Sequence, residues 1–202
     1  MNPRSPWLGG FSLLRSQGNT VQNSDSAHPD PSQASKDAGH KTVRRATIAD
    51  AVTVRELTRA AYAKWVPVLG REPRPMIADY DAALRDHLID LLQVGGEAVA
   101  LIEMAPKADH LLIVNVAVAP NYQGRGYGRA MMAHAEEVAR TLNLSEMRLY
   151  TNALFAENLR LYSRLGYRVD REEQHPQFGV AVHMSKRLEA AADEHASNRT
   201  SP

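Results

Sequence analysis

The stretch LLIVNVAVAPNYQGRGYGR, residues 111–129, holds the pattern that decides the fold. A continuous apolar run passes through Pro120 into three glycines at alternate positions, Gly124, Gly126 and Gly128. Met131, Ala135, Val138 and Leu142 follow at helical spacing. The order is therefore strand, glycine-rich turn, helix. Glycines let backbone N–H groups crowd a ligand without intervening side chains. The first turn of a helix adds unpaired N–H groups and the positive end of its dipole. Together these make a site for phosphate or pyrophosphate. Arg125 and Arg129 supply guanidinium groups suited to phosphate oxygens. A tight turn without a ligand is the plainer alternative, but three alternating glycines exceed what a turn needs.

The kind of phosphate ligand follows from the details. A nucleoside-triphosphate loop ends in Gly-Lys-Ser/Thr, and the stretch has no such ending. A dinucleotide fingerprint needs its third glycine one residue later and an acidic residue closing the next strand. Glu146 has about the right offset but opens that strand. What remains is Gln123-x-x-Gly126-x-Gly128, preceded by Val116 to Pro120. This arrangement resembles the acetyl-CoA loop of the GNAT superfamily of N-acetyltransferases.

Bulk composition narrows the setting. The 202 residues suit one domain with a substantial core. Lysine and arginine number 24 against 23 acidic residues, so no basic field points to nucleic acid. The absence of cysteine excludes disulfides, thiolate zinc sites and a cysteine nucleophile. No apolar run approaches the ~20 residues that span a bilayer. Trp7 to Leu14 is a short apolar patch broken by Gly9 and Gly10, and it reads as an untargeted tail. A cytoplasmic enzyme is the expectation, with no membrane, nucleic-acid or metal partner.

Along the chain, residues 1–41 are rich in Ser, Asn, Asp, Pro, Gly and Gln and predict a disordered extension. The folded domain is expected over 42–188, with a polar tail at 189–202. Val43 to Ala46 reads as a strand, and Thr47-x-x-Asp50 has the form of a capping box. Val54, Leu57, Ala61 and Trp65 form one buried helical stripe, which Pro67 and Gly70 end. A second helix covers Ile77 to Asp86. Gly95-Gly96 signals a hairpin between strands at His87–Val94 and Glu97–Met104. After the opening stretch come a helix from Tyr127 to Thr141 and a strand from Met147 to Thr151. Asn152 then caps a helix from Ala153 to Leu165, stopped by Gly166. Tyr167–Glu172 and Phe178–Lys186 are the last strands, the second alternating at Phe178, Val180, Val182 and Met184.

The class is mixed α/β, an α+β arrangement with a mixed sheet. This element order is also that of the GNAT fold, whose mostly antiparallel central sheet is flanked by helices. The resemblance runs from about Val43 to Leu188. Agreement between the local motif and the element order strengthens both.

The resemblance implies a site. In that family a bulge splays apart the two strands around the loop, and the pantetheine arm pairs with the exposed edge. Mapped here, the backbones of Val116, Ala117 and Val118 would meet the arm. The amides of Gln123, Gly124, Arg125, Gly126, Tyr127, Gly128 and Arg129 would hold the pyrophosphate. Val118 N–H would polarise the thioester carbonyl as an oxyanion hole does. Tyr162 sits in Leu161-Tyr-Ser-Arg-Leu-Gly-Tyr167, similar to the family's Leu-Tyr-x-x-x-Gly-Phe/Tyr, and would protonate the departing thiolate. Asn158 lies one turn before Tyr162 and offers an amide to the pantetheine arm. The family often has asparagine seven residues before the tyrosine, where this chain has Phe155.

No general base declares itself. The strand before the loop carries only Asn115, leaving Glu103, Asp79, His110, His175 or water. The expected activity is acetyl transfer from acetyl-CoA to a primary amine, on a small molecule or peptide, by direct attack in a ternary complex. The alternative is a non-catalytic coenzyme A-binding sensor or interaction module. Segments Pro67–Met76 and Gln174–Phe178 are expected to flank the acceptor, and homodimers are common in the family.

Overall fold

The structure is a computed structural model that describes residues 40–176 and 179–189. The expected N-terminal extension therefore lies outside the described residues except for His40 and Lys41, as does the tail except for Glu189. Phe178, the first member of the last alternation, also lies outside them.

The first half comprises β1 (Lys41–Arg45), α1 (Ala51–Tyr62), α2 (Tyr80–Asp86), β2 (Leu88–Val94) and β3 (Glu97–Pro106). The second comprises β4 (Leu111–Val118), α3 (Tyr127–Thr141), β5 (Glu146–Asn152), α4 (Ala156–Arg164), β6 (Arg168–His175) and β7 (Gly179–Arg187). One sheet takes the strands in the order β1-β2-β3-β4-β5-β7-β6. Every neighbouring pair is antiparallel except β4 and β5. Among the described residues no helix is long and apolar enough to cross a membrane.

Local chemistry explains most boundaries. Gly95 and Gly96 take φ of 58° and 83°, the pair of positive values that a tight hairpin between β2 and β3 requires. Pro67 does not end the first helix. The α-helix gives way at Tyr62 to a 3-10 turn, and Pro67 sits in the first turn of a short helical segment, Val66–Leu69. A missing N–H is harmless there. Gly70 ends it in the left-handed conformation, φ 67°. The second helix starts at Tyr80 rather than Ile77, because Asp79 caps it by accepting the Ala82 amide at 3.0 Å. Asn152 is not the cap of the last helix. It closes β5, its Oδ1 accepts the Leu154 amide at 2.9 Å, and this local turn delays α4 until Ala156.

The capping box forms at the start of the α1 region, opening a 3-10 turn at Ile48–Asp50. Asp50 accepts the Thr47 amide at 2.7 Å and two Arg44 guanidinium bonds at 2.9 and 2.6 Å. Those partners hold its carboxyl well below the usual carboxylate range. A depressed folded value means the contribution is complete above the unfolded value of about 3.9 and fades as pH falls below it. Asp50→Asn should therefore cost about 1–2 kcal/mol at pH 7, by urea titration, with the gap narrowing progressively as pH falls below about 4 and closing only once the folded carboxyl is itself protonated.

Helices cover both faces of the sheet. Met131, Met132, Ala135 and Ala139 of α3 pack with Leu111, Ile113 and Met147 on one face, joined by Tyr162 of α4. Val54, Leu57 and Ala61 of α1 pack with Tyr80, Leu91, Leu101 and Ala117 on the other. The register between β3 and β4 shifts where Glu103 pairs with Asn115 but Met104 pairs with Ile113. Val114 is the extra residue, and one extra residue reverses side-chain parity. Leu111 and Ile113 face α3 before the bulge; Val116 and Val118 face it afterwards. Asn115 and Ala117 are turned towards α1.

Candidate active site

The bulge has a second effect. β4 pairs with β5 only from Leu111–Met147 to Ile113–Leu149. Beyond that point β4 keeps β3, β5 keeps β7, and the two strands part. Ala119 N–H donates to Val99 at 2.9 Å, on the β3 side. Backbone groups alternate sides along an antiparallel strand. So Val116 and Val118 direct N–H and C=O into the gap, while Ala117 turns its own towards β3.

The glycine loop closes one end of this gap. Gly124 and Gly126 have φ of 75° and 84°, values that an L side chain adopts only under strain. A Cβ at either would meet nothing within 4 Å, so both border open space. Gly126 is the N-cap of α3, and the first helical bond runs from Ala130 N–H to Gly126 O at 3.0 Å. The amides of Tyr127, Gly128 and Arg129 therefore precede the helical ladder. Gly128 faces β4 and α4: a Cβ there would stand 3.8 Å from Val118 and from Leu161, in ordinary van der Waals contact. The Gln123 amide is used within the loop, on Pro120 O at 3.2 Å. Its side-chain amide donates to Val118 O at 2.9 Å, tying the loop to the open edge.

A cleft of about 490 Å³ results, within the range that takes a small ligand. Val116, Ala117, Val118, Gln123 and Gly124 line it, together with Gly126, Tyr127, Gly128 and Arg129. Asn158 and Tyr162 of α4 line it too. Arg125 is not in the lining; its guanidinium lies 5.4 Å over the Tyr122 ring. Tyr162 is nearly fully buried, and burial pushes its phenol up to about 12. Phe155 is buried and stacks on Trp65, which lines the cleft, at 4.4 Å between ring centroids.

Several lining residues had no local signal in the sequence. Tyr62, Lys64 and Trp65, at the end of α1, form the opposite wall. Lys64 Nζ donates to Glu157 of α4 at 2.6 Å and to Gln123 at 3.2 Å. Such a bridge across a mouth depends on two elements 93 residues apart, which spacing along the chain does not reveal.

The sequence matches the family model described as Acetyltransferase (GNAT) family over residues 53–167, more than half of the chain. The chain belongs to the GNAT family of acetyltransferases. Solved structures agree with that fold. The ribosomal-protein-S18-alanine N-acetyltransferase of Escherichia coli is 19% identical, with TM-score 0.64, covering 77% of this chain and 98% of its own. The PaiA N-acetyltransferase of Thermoplasma acidophilum, solved with coenzyme A, is 17% identical at TM-score 0.62, covering 74% and 99%. A GNAT family acetyltransferase from Elizabethkingia anophelis with acetyl-CoA bound is 16% identical at TM-score 0.57, covering 73% and 98%. At these identities the likeness is one of fold. No protein of curated function matches the sequence.

In this GNAT protein the four base candidates fare differently, and none lines the cleft. Asp79 is spent as the α2 cap. His110 stands at the start of β4, bonded to Asp109 at 2.6 Å, at the end of the strand away from the loop. His175 ends β6, the outer strand beside β7. Glu103 is buried on the α1 face, its Oε1 2.6 Å from His87 Nδ1. Asn115 is occupied as well. Tyr62 OH donates to its Oδ1 at 2.9 Å, and its Nδ2 lies 3.4 Å from Thr58 and 3.3 Å from Tyr80. A buried amide with this many partners is a strut between β4 and α1.

Proposed function

We propose that the protein is an acetyl-CoA-dependent N-acetyltransferase that acetylates a primary amine by direct attack in a ternary complex. The observation that carries this reading is the open edge of β4 running straight into the glycine loop, with Tyr162 opposite. Val116 offers its N–H and C=O groups to the amide-like pantetheine arm, as an added strand would use them, while Val118 O is held by Gln123 and Val118 N–H is left for the thioester. The amides at the start of α3, with Arg129 beside them, suit a pyrophosphate. Gly124 and Gly126 leave room for it to approach.

The attacking nitrogen forms a C–N bond to the acetyl carbon as the C–S bond breaks. Val118 N–H serves the carbonyl oxygen while negative charge grows there. Tyr162 donates a proton to the departing sulfur, and water in the cleft takes the proton from nitrogen. No covalent enzyme intermediate enters the scheme. We place the enzyme in the cytoplasm.

Release of coenzyme A thiol from acetyl-CoA across an amine panel tests the reading. Amine-dependent release well above the rate of hydrolysis is the expected outcome. A second reading keeps the ligand and drops the reaction: a coenzyme A-binding sensor. It draws on one observation, that the only carboxylate among the described lining residues, Glu157, is paired with Lys64. Tight acetyl-CoA binding with no amine-dependent release would favour it.

A further inference from the structure

Many arginines of this protein face carboxylates. Arg44 meets Asp50, Arg59 meets Glu72, and Arg148 meets Glu146. Two arginines in the wall of the cleft do not. Arg129, in the first turn of α3, and Arg164, in the last turn of α4, have no hydrogen bond or ion pair among the described residues. The only carboxylate among the described lining residues, Glu157, is bound by Lys64 at 2.6 Å and does not neutralise them. Like charges left unpaired in one cleft attract an anion and raise its local concentration.

The two guanidiniums have different surroundings. Arg129 belongs to the helix start whose amides suit the pyrophosphate. Arg164 stands on the helix opposite. Three residues before it, on the same face of α4, Leu161 approaches Gly128, where a Cβ would stand 3.8 Å from it. The face of α4 that carries Arg164 therefore packs along the start of α3. Arg164 is itself exposed, so its charge lies at the rim of the cleft rather than beside the buried Tyr162. Coenzyme A carries one anionic group beyond its pyrophosphate, the 3′-phosphate of its ribose, at the end of the molecule away from the thiol.

We propose that Arg164 binds this 3′-phosphate, so that the cleft distinguishes coenzyme A and its acetyl thioester from their 3′-dephospho forms. The proposal rests on the reading of the cleft as the acetyl-CoA site. A guanidinium fork meets two phosphate oxygens at once, whereas the dephospho ligand offers it only an uncharged hydroxyl.

The test is calorimetric titration of the full chain with coenzyme A and with 3′-dephospho-coenzyme A. Wild type should bind coenzyme A about 10-fold more tightly, the lower end for a hydrogen bond to a charged group because Arg164 is exposed. Arg164→Met should weaken coenzyme A to the level of the dephospho ligand while the Kd of the dephospho ligand stays as it was. A damaged fold would weaken both. Arg164→Lys should keep part of the preference. Equal affinities in wild type, an undiminished preference in Arg164→Met, or equal weakening of both ligands in that variant overturns the proposal. The acetyltransferase reading survives such a result if amine-dependent thiol release from acetyl-CoA continues. A wild-type protein that binds neither ligand overturns both.

Discussion

Gly126→Asp abolishes the rise in melting temperature that acetyl-CoA gives the wild-type protein. At a hundredfold excess over Kd, a ligand that binds only the folded state adds about 2.7 kcal/mol. For a domain of this size that is roughly 5–10 °C. Two effects remove it in the variant. At φ 84° a side chain carries backbone strain of about 1–3 kcal/mol. The larger effect is charge, since the carboxylate projects into the open space where a pyrophosphate would sit, at the positive end of α3. Gly126→Ala separates the two: it lowers the melting temperature of the free protein but keeps a reduced shift. Gly128→Asp reaches the same loss by charge alone. Its Cβ would stand in ordinary contact with Val118 and Leu161 and carries no left-handed strain, so the loss comes from the charge of a carboxylate placed in the cleft at the first turn of α3. An undiminished shift in Gly126→Asp would mean that acetyl-CoA does not use this loop.

Tyr162→Phe should lower kcat by about 10²- to 10⁴-fold, the usual contribution of a positioned acid, with little change in the KM for acetyl-CoA. The ring is nearly fully buried against Tyr167, at 6.0 Å between centroids, so phenylalanine fills the same space. Only the hydroxyl is lost. Burial pushes the phenol up to about 12, so it stays protonated throughout an assay between pH 6 and 9. Any alkaline limb in that interval therefore belongs to another group, and it should survive in the variant. Unchanged turnover in Tyr162→Phe would remove the acid role from this residue while leaving the cleft as the donor site.

Much of the fold was legible because strong local signals coincide. The apolar run at Leu111–Val118, the paired glycines at 95 and 96, and the helical spacing after Tyr127 each survive in the structure within a residue or two. The misplaced boundaries share one cause. At Asp79 and Asn152 a short polar side chain bonds the backbone two or three residues ahead, and the sequence does not say whether that bond opens a helix or a turn. Pro67 misled in a similar way, because the residue that breaks a helix inside is welcome in its first turn.

The site divides along the same line. The glycine loop and Tyr162 were readable because one backbone conformation and one helix face present them. What the loop faces was not readable. Lys64 bridging to Glu157 and Asn115 bound by Tyr62 and Thr58 each join residues more than 50 positions apart. Sequence alone determined the element order and the glycine-rich turn from strand into helix, since backbone propensity and hydrophobic period act over a few residues. The tertiary structure decided the parting of β4 from β5 and the engagement of Asn115. Those depend on which strands pair and where one extra residue shifts the register, and pairing energy is spread across the whole sheet.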